Sequence, residues 1–166
     1  MKLIAPGVVL ALAVLSSCGK QEPVPPAPSS APGGTSSAGP RPEKMPNGEP
    51  AVITVKHVLI AFEGAQRSEQ KRTRAEAEKL AFEVINRAKT GEDFDKIMKE
   101  VSNDPGGGTY TLVNHGVTAN PGEFDRSGMV PAFGDVGFRI AVGEVGLADY
   151  DAAKSPFGLH IIKRVK

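Results

Sequence analysis

Two histidines, one aspartate and two serines in this chain stand where their chemistry could do more than pack. His57 lies inside "ITVKHVLIAF" and His160 inside "SPFGLHIIKRVK", both runs apolar enough to be buried strands. An imidazole in such a place needs a partner, a ligand or a role. Metal binding is the first possibility. Beyond His57, His115 and His160 the chain has one cysteine, with neither HxH nor HExxH spacing, so a ligand set does not assemble. Nucleophilic hydrolysis is the second. Ser102, His57 and Asp104 include the right types, but G-x-S-x-G is missing and most chains of this size contain such a trio. "PGGGTY" lacks the lysine and the strand–helix context of a phosphate loop, and a sharp turn into a strand accounts for it better. What remains is a pair of strand histidines, the turn "SNDP" and the apolar residues Met129, Phe133 and Phe157. Composition alone favours core histidines bonded to each other.

The elements that must position these residues are legible from periodicity. In "AVITVKHVLIAF", Ile53, Val55, His57 and Leu59 share one face while Val58, Ile60 and Phe62 share the other, the pattern of a strand buried on both sides. Ala77, Leu80, Ala81, Val84, Ile85 and Ala88 recur at helical spacing, and Gly91 stands at a helix stop. Phe94, Ile97, Met98 and Val101 repeat the stripe before "SNDPGGG" breaks it. "TYTLV" reads as a short strand, "NHGVTANPGEFDRSG" as a polar loop, and "VPAFGDVGFRI" as a helix weakened by Gly134 and Gly137. "EVGLADYDA" and "FGLHIIKRV" close the chain as strands. The order predicts an α+β domain over residues 51–166, with helices packed on a small, mostly antiparallel sheet.

The first fifty residues differ in kind. Residues 1–17 carry Lys2 and then an uncharged apolar stretch from Leu3 to Leu15, too short to span a membrane and expected to be a signal peptide. "LSSC" resembles the bacterial lipobox, which implies lipidation of Cys18, the only cysteine, and a membrane anchor of acyl chains. Gly19, where inner-membrane sorting would have aspartate, points by analogy to the outer membrane, facing the periplasm. Residues 18–50 hold nine of the fourteen prolines and almost no large apolar side chain, so a disordered tether is expected there. A net charge of +1 and a pI near 7.9 leave no concentrated basic face and argue against nucleic acid as a partner.

From His57 to the end, the chain resembles the parvulin family of peptidyl-prolyl isomerases. Four blocks carry the resemblance in the family's order: "VKHVLI", "AEKLAFEVINRAKTGEDFDKIMKEVSNDP", "GMVPAFGDVGFRIAVGEVG" and "SPFGLHIIKRVK". It implies a parvulin-like domain with a four-stranded sheet and about four helices, in the order β-α-α-α-β-α-β-β. It also implies cis-trans isomerisation of X–Pro bonds without cofactor or metal. His57 and His160 match the paired histidines of the family's site. Ser155 falls where a threonine usually bonds into that pair, and Asp104 where a cysteine or aspartate faces the substrate amide. Met129 and Phe133 match the proline pocket, and Phe157 the aromatic before the final glycine.

This chain departs from the family after its glycines, where G-D-L-G-[WF] is replaced by "GGGTYTLV". Tyr110 then stands near the pocket leucine, with Leu112 as the alternative. Ala61 occupies the position four after His57 where phospho-specific members have lysine, so Arg67, Lys71, Arg72 and Arg74 are read as a solvated loop. The function expected is an exported, lipid-anchored isomerase acting on proline-containing polypeptides during folding of envelope or secreted proteins. A non-catalytic chaperone that only holds such chains is the alternative, and a structural envelope lipoprotein the second.

Overall fold

The computed structural model describes residues 40–166. The expected signal peptide, Cys18 and most of the expected tether lie outside the described residues. Five strands and three α-helices follow in the order β1 (Val52–Ile60), α1 (Arg74–Lys89), α2 (Phe94–Val101), β2 (Thr109–Val113), β3 (Glu123–Asp125), α3 (Pro131–Arg139), β4 (Val145–Ala148) and β5 (Leu159–Arg164). The sheet order is β3-β2-β1-β5-β4, antiparallel throughout except for β2 and β3. The α+β class and the helices on a small, mostly antiparallel sheet are as expected.

Strand and helix counts differ. Only two α-helices separate β1 from β2, because residues 61–73 run as loop and turns. The fifth strand, β3, lies in the stretch read as a polar loop. It is too short and too polar to show alternation, and tertiary contacts hold it: Thr111, Leu112 and Val113 pair with Glu123, Phe124 and Asp125. Arg41 clamps Glu123 with two hydrogen bonds of 2.5 and 3.0 Å.

β1 is the central strand, and its two faces serve two cores. Val58, Ile60 and Phe62 pack against Ala77, Ala81, Val84 and Ile97 of α1 and α2. Ile53 and Val55 pack with Leu112, Ile162 and the α3 residues Phe133 and Val136. The helices begin where their caps dictate. Thr73 and Glu76 form a reciprocal capping box on α1, and the Asp93 carboxylate accepts from the Asp95 and Lys96 amides on α2. Pro131 opens α3 at a position with no amide partner to lose. Gly137 lets α3 approach β1, since a Cβ there would stand 3.2 Å from Ile53 Cδ1.

The boundary expected at residue 51 moves upstream. Lys44 and Pro50 bridge, Met45 packs near Ala51, Val113 and Val117, and Glu49 binds Asn114 and Arg126. Asn114, buried and fully bonded, also accepts from Arg126, whose other arm grips Asp135. Residues 41–50 thus belong to the folded unit. Removing Glu49 strips a half-buried guanidinium of one partner, so a chain starting at residue 51 should be about 2 kcal/mol less stable than one starting at residue 40. Equal urea midpoints for the two chains would contradict that.

Candidate active site

The site forms where β1, β5 and β2 present one face to α3. In the β1–β5 ladder His57 pairs with Ile162 and Leu59 with His160, so the two histidines are diagonal neighbours on the same face. Their rings lie 5.3 Å apart, tilted by 32°, and both are 4% exposed. Phe133 from α3 stands edge-on to His57 at 4.9 Å and to His160 at 5.7 Å. Tyr110 from β2 closes a further side, 5.6 Å from His57 and 6.2 Å from Phe133. The result is an aromatic box with two imidazoles in its wall. Edge-to-face contacts of this kind contribute about 0.5–1.5 kcal/mol each beyond the area they bury.

Asp104 is delivered to the rim of this box by "SND". The Ser102 hydroxyl accepts from the Leu59 and Asp104 amides at 3.1 and 3.2 Å, and Asn103 exchanges bonds with Leu59 and Ala61. These contacts tie the turn alongside β1, next to His57. Asp104 Oδ2 then lies 3.8 Å from His57 Nδ1 and accepts the Tyr110 hydroxyl at 2.9 Å. Ser102, considered above as a nucleophile, is an anchor for backbone instead.

Burial fixes the charge state. Desolvation lowers the His57 pKa to about 4 against the opposing pull of Asp104. Desolvation, reinforced by His57 and again opposed by Asp104, lowers that of His160 to about 3. Both rings are therefore neutral at pH 7, and the 3.8 Å approach of Asp104 to His57 is not an ion pair there. The Tyr110 phenol is raised, first by burial and then by its bond to Asp104. Among the described residues, none of the four ring nitrogens of His57 and His160 has a hydrogen-bond partner. Orphaned polar atoms at this depth are rare enough to mark a working site.

Several expected residues come together here, and others do not. His57, His160, Asp104, Phe133 and Tyr110 form the box and its rim. Met129, half-buried and just before α3, joins the same apolar cluster. Leu112, the alternative to Tyr110, is fully buried opposite Ile53 and belongs to the core. Ser155 is corrected in its role: its buried hydroxyl donates to the Gly158 carbonyl at 3.1 Å, and neither histidine receives a bond from it or from the other. Phe157 makes none of the box's ring contacts and lies beneath Arg67, whose guanidinium is 5.7 Å from its centroid. The reason is Gly158, at φ +142° with room for no Cβ (2.4 Å from the Ile60 carbonyl oxygen), which interrupts the strand between Phe157 and His160.

Phe124 is an addition that the structure makes to the site. It is 42% exposed on β3, edge-on to Tyr110 at 5.4 Å, and extends the aromatic wall outward. A single aromatic in an otherwise polar loop was its only signal. Two of the loop cations are engaged elsewhere, Arg72 with Asn103 and Gln70, and Arg74 with Glu78. A hollow of about 420 Å³ lies beside Asp104, lined by Met98, Ser102, Gly107 and Thr109. A larger one of about 900 Å³ lies between residues 44–50 and the end of α3 and shares no residue with the box.

The small α+β fold is similar to that of a solved peptidyl-prolyl isomerase, ESS1 from Candida albicans. The two superpose with a TM-score of 0.55 at 21% identity, over 71% of this chain and 67% of that one. Residues 43–166 match the family described as the PPIC-type PPIase domain, and the chain belongs to that family. Relatives include the foldase protein PrsA of Geobacillus kaustophilus, 40% identical over 86 residues, which are 52% of this chain and 27% of that protein. The chaperone SurA of Pseudomonas aeruginosa is 31% identical over 111 residues, 67% of this chain and 22% of that protein. The match spans about a quarter of the length of these curated relatives.

Proposed function

We propose that residues 40–166 catalyse cis-trans isomerisation of X–Pro bonds in exported polypeptides. The observation that carries this reading is the box itself: apolar, ring-walled, uncharged at pH 7, with the Asp104 carboxylate at its rim. Rotation about an X–Pro bond breaks amide resonance against a barrier of about 18–20 kcal/mol, and no covalent step is needed to lower it. In the planar amide the carbonyl oxygen carries part of a negative charge, which returns to nitrogen as the bond twists. A carboxylate facing that oxygen disfavours the planar state more than the twisted one. The walls of Phe133, Met129 and Tyr110 grip the proline ring, and the neutral histidines leave the field of Asp104 uncancelled. The relatives' names, foldase and chaperone, support polypeptide clients.

A protease-coupled isomerisation assay on residues 40–166 with a panel of X–Pro peptides tests the reading. Turnover above the uncatalysed rate for at least one peptide is expected. Background rates for every peptide from a folded sample would defeat it and favour the holding-only chaperone.

The same proposal includes export and anchoring through acyl chains on Cys18, with the tether extending the domain from the outer membrane into the periplasm. It rests on residues 1–19, outside the described part. Radiolabelled fatty acid should be incorporated by the natural chain and not by Cys18→Ser. Equal labelling of both would refute the anchor.

A further inference from the structure

The residue that sets this chain apart at its own site is Tyr110, and three observations converge on its hydroxyl. It donates to Asp104 Oδ2 at 2.9 Å, while the Gly106 amide donates to Oδ1 at 3.1 Å, so both carboxylate oxygens are held. Gly106 is the one residue type that leaves room for it, because a Cβ at that position would stand 2.1 Å from the Tyr110 hydroxyl oxygen. The ring beneath is braced on several sides, with Phe124, His57 and Phe133 all within 6.2 Å. "PGGGTY" therefore encodes a seat for a phenol.

We infer that Tyr110 is a positioning residue that orients the Asp104 carboxylate toward the twisting amide. The inference rests on the isomerase reading above and deepens it. A carboxylate bound by one backbone amide alone can swing about its Cβ–Cγ bond. With a second donor on the other oxygen, its plane and its distance to His57 are set before substrate arrives. The Tyr110 ring contributes separately, as wall.

Two separable losses follow. Tyr110→Phe keeps the ring and removes the donor, so kcat should fall about 10-fold with KM changed less than about twofold. Tyr110→Leu removes the wall as well and should raise KM. Because the phenol acts through Asp104, the loss from Tyr110→Phe should disappear in an Asp104→Ala background, a coupling that a double-mutant cycle reads directly. The same 10-fold loss in both backgrounds would overturn the role, as would a rise in KM with kcat unchanged.

A spectroscopic readout tests the bond independently of turnover. Tyr150→Phe leaves Tyr110 as the single tyrosine, and its ultraviolet titration should come well above the usual value near 10 and move down when Asp104 is replaced by alanine. An ordinary titration in the Asp104-containing protein would show that the bond does not form, and the inference would fail whatever the activity. Absence of turnover in the natural chain would instead overturn the isomerase reading, and the positioning role with it. Turnover with additive losses would overturn the role alone.

Discussion

Acidification from about pH 7.5 to about pH 4.5 is expected to cost the folded domain several kcal/mol and its activity as well. In the unfolded chain His57 and His160 titrate near 6.5, whereas in the fold burial lowers them to about 4 and about 3. Between those values the unfolded state binds more protons, so stability is full above pH 6.5 and drains away as pH falls towards the folded values. Over that range the loss is on the order of 3 kcal/mol per histidine at about 1.4 kcal/mol per unit, a large share of a typical 5–15 kcal/mol. Among the described residues Asp104 is the carboxylate that acts on the pair, and its pull upward is smaller than the desolvation that opposes it. Urea unfolding across the pH range, at constant m, reads the effect.

His160→Leu identifies its source. The ring nitrogens it removes have no partner, so stability near pH 7.5 should hold within about 1 kcal/mol or improve, while the acid slope falls by roughly half. A slope identical to that of the natural protein would place the acid response elsewhere. Activity should decline along with stability, because a protonated imidazole in the wall neutralises the carboxylate beside it.

That acid response could not be read from the sequence, and the reason is physical. Periodicity showed which face of β1 His57 shares with Ile53 and Val55, and the stripes of α1 and α2 announced their packing. The resemblance placed His57, His160, Asp104 and Phe133 in one site. None of these signals reports hydrogen bonding at depth. Ser155 has the right type and position to bond a histidine, yet a tight loop turns its hydroxyl to Gly158. Phe157 is three residues from His160 in sequence, but the break at Gly158 cancels strand parity between them. β3 and residues 41–50 escaped notice for a different cause. Each is held by contacts distant in sequence, β3 by its pairing with β2 and by Arg41 on Glu123, and residues 41–50 by Glu49 on Arg126 and Asn114. Local composition carries no trace of such pairs.

Asp104→Ala should reduce kcat/KM about 100-fold, the scale of removing one preorganised electrostatic group from an active site, and leave the fold nearly untouched. The stability side follows from the neighbourhood. The Asp104 side chain is 11% exposed at the rim, and of the two donors it leaves, the Gly106 amide is exposed while the Tyr110 hydroxyl loses its acceptor, so a cost of about 1–2 kcal/mol is expected. The anchors of the turn, Ser102 and Asn103, remain in place. Activity and stability therefore separate at this residue, as they do not at Phe133, whose truncation would empty the core by about 3–5 kcal/mol. Asp104→Asn then distinguishes charge from shape. The amide oxygen can still accept from Tyr110 or Gly106, but no net charge faces the substrate carbonyl. If field is what lowers the barrier, Asp104→Asn should lose nearly as much activity as Asp104→Ala. An asparagine variant as active as the natural chain would mean that Asp104 acts by holding the rim in shape, and the electrostatic account would have to be abandoned.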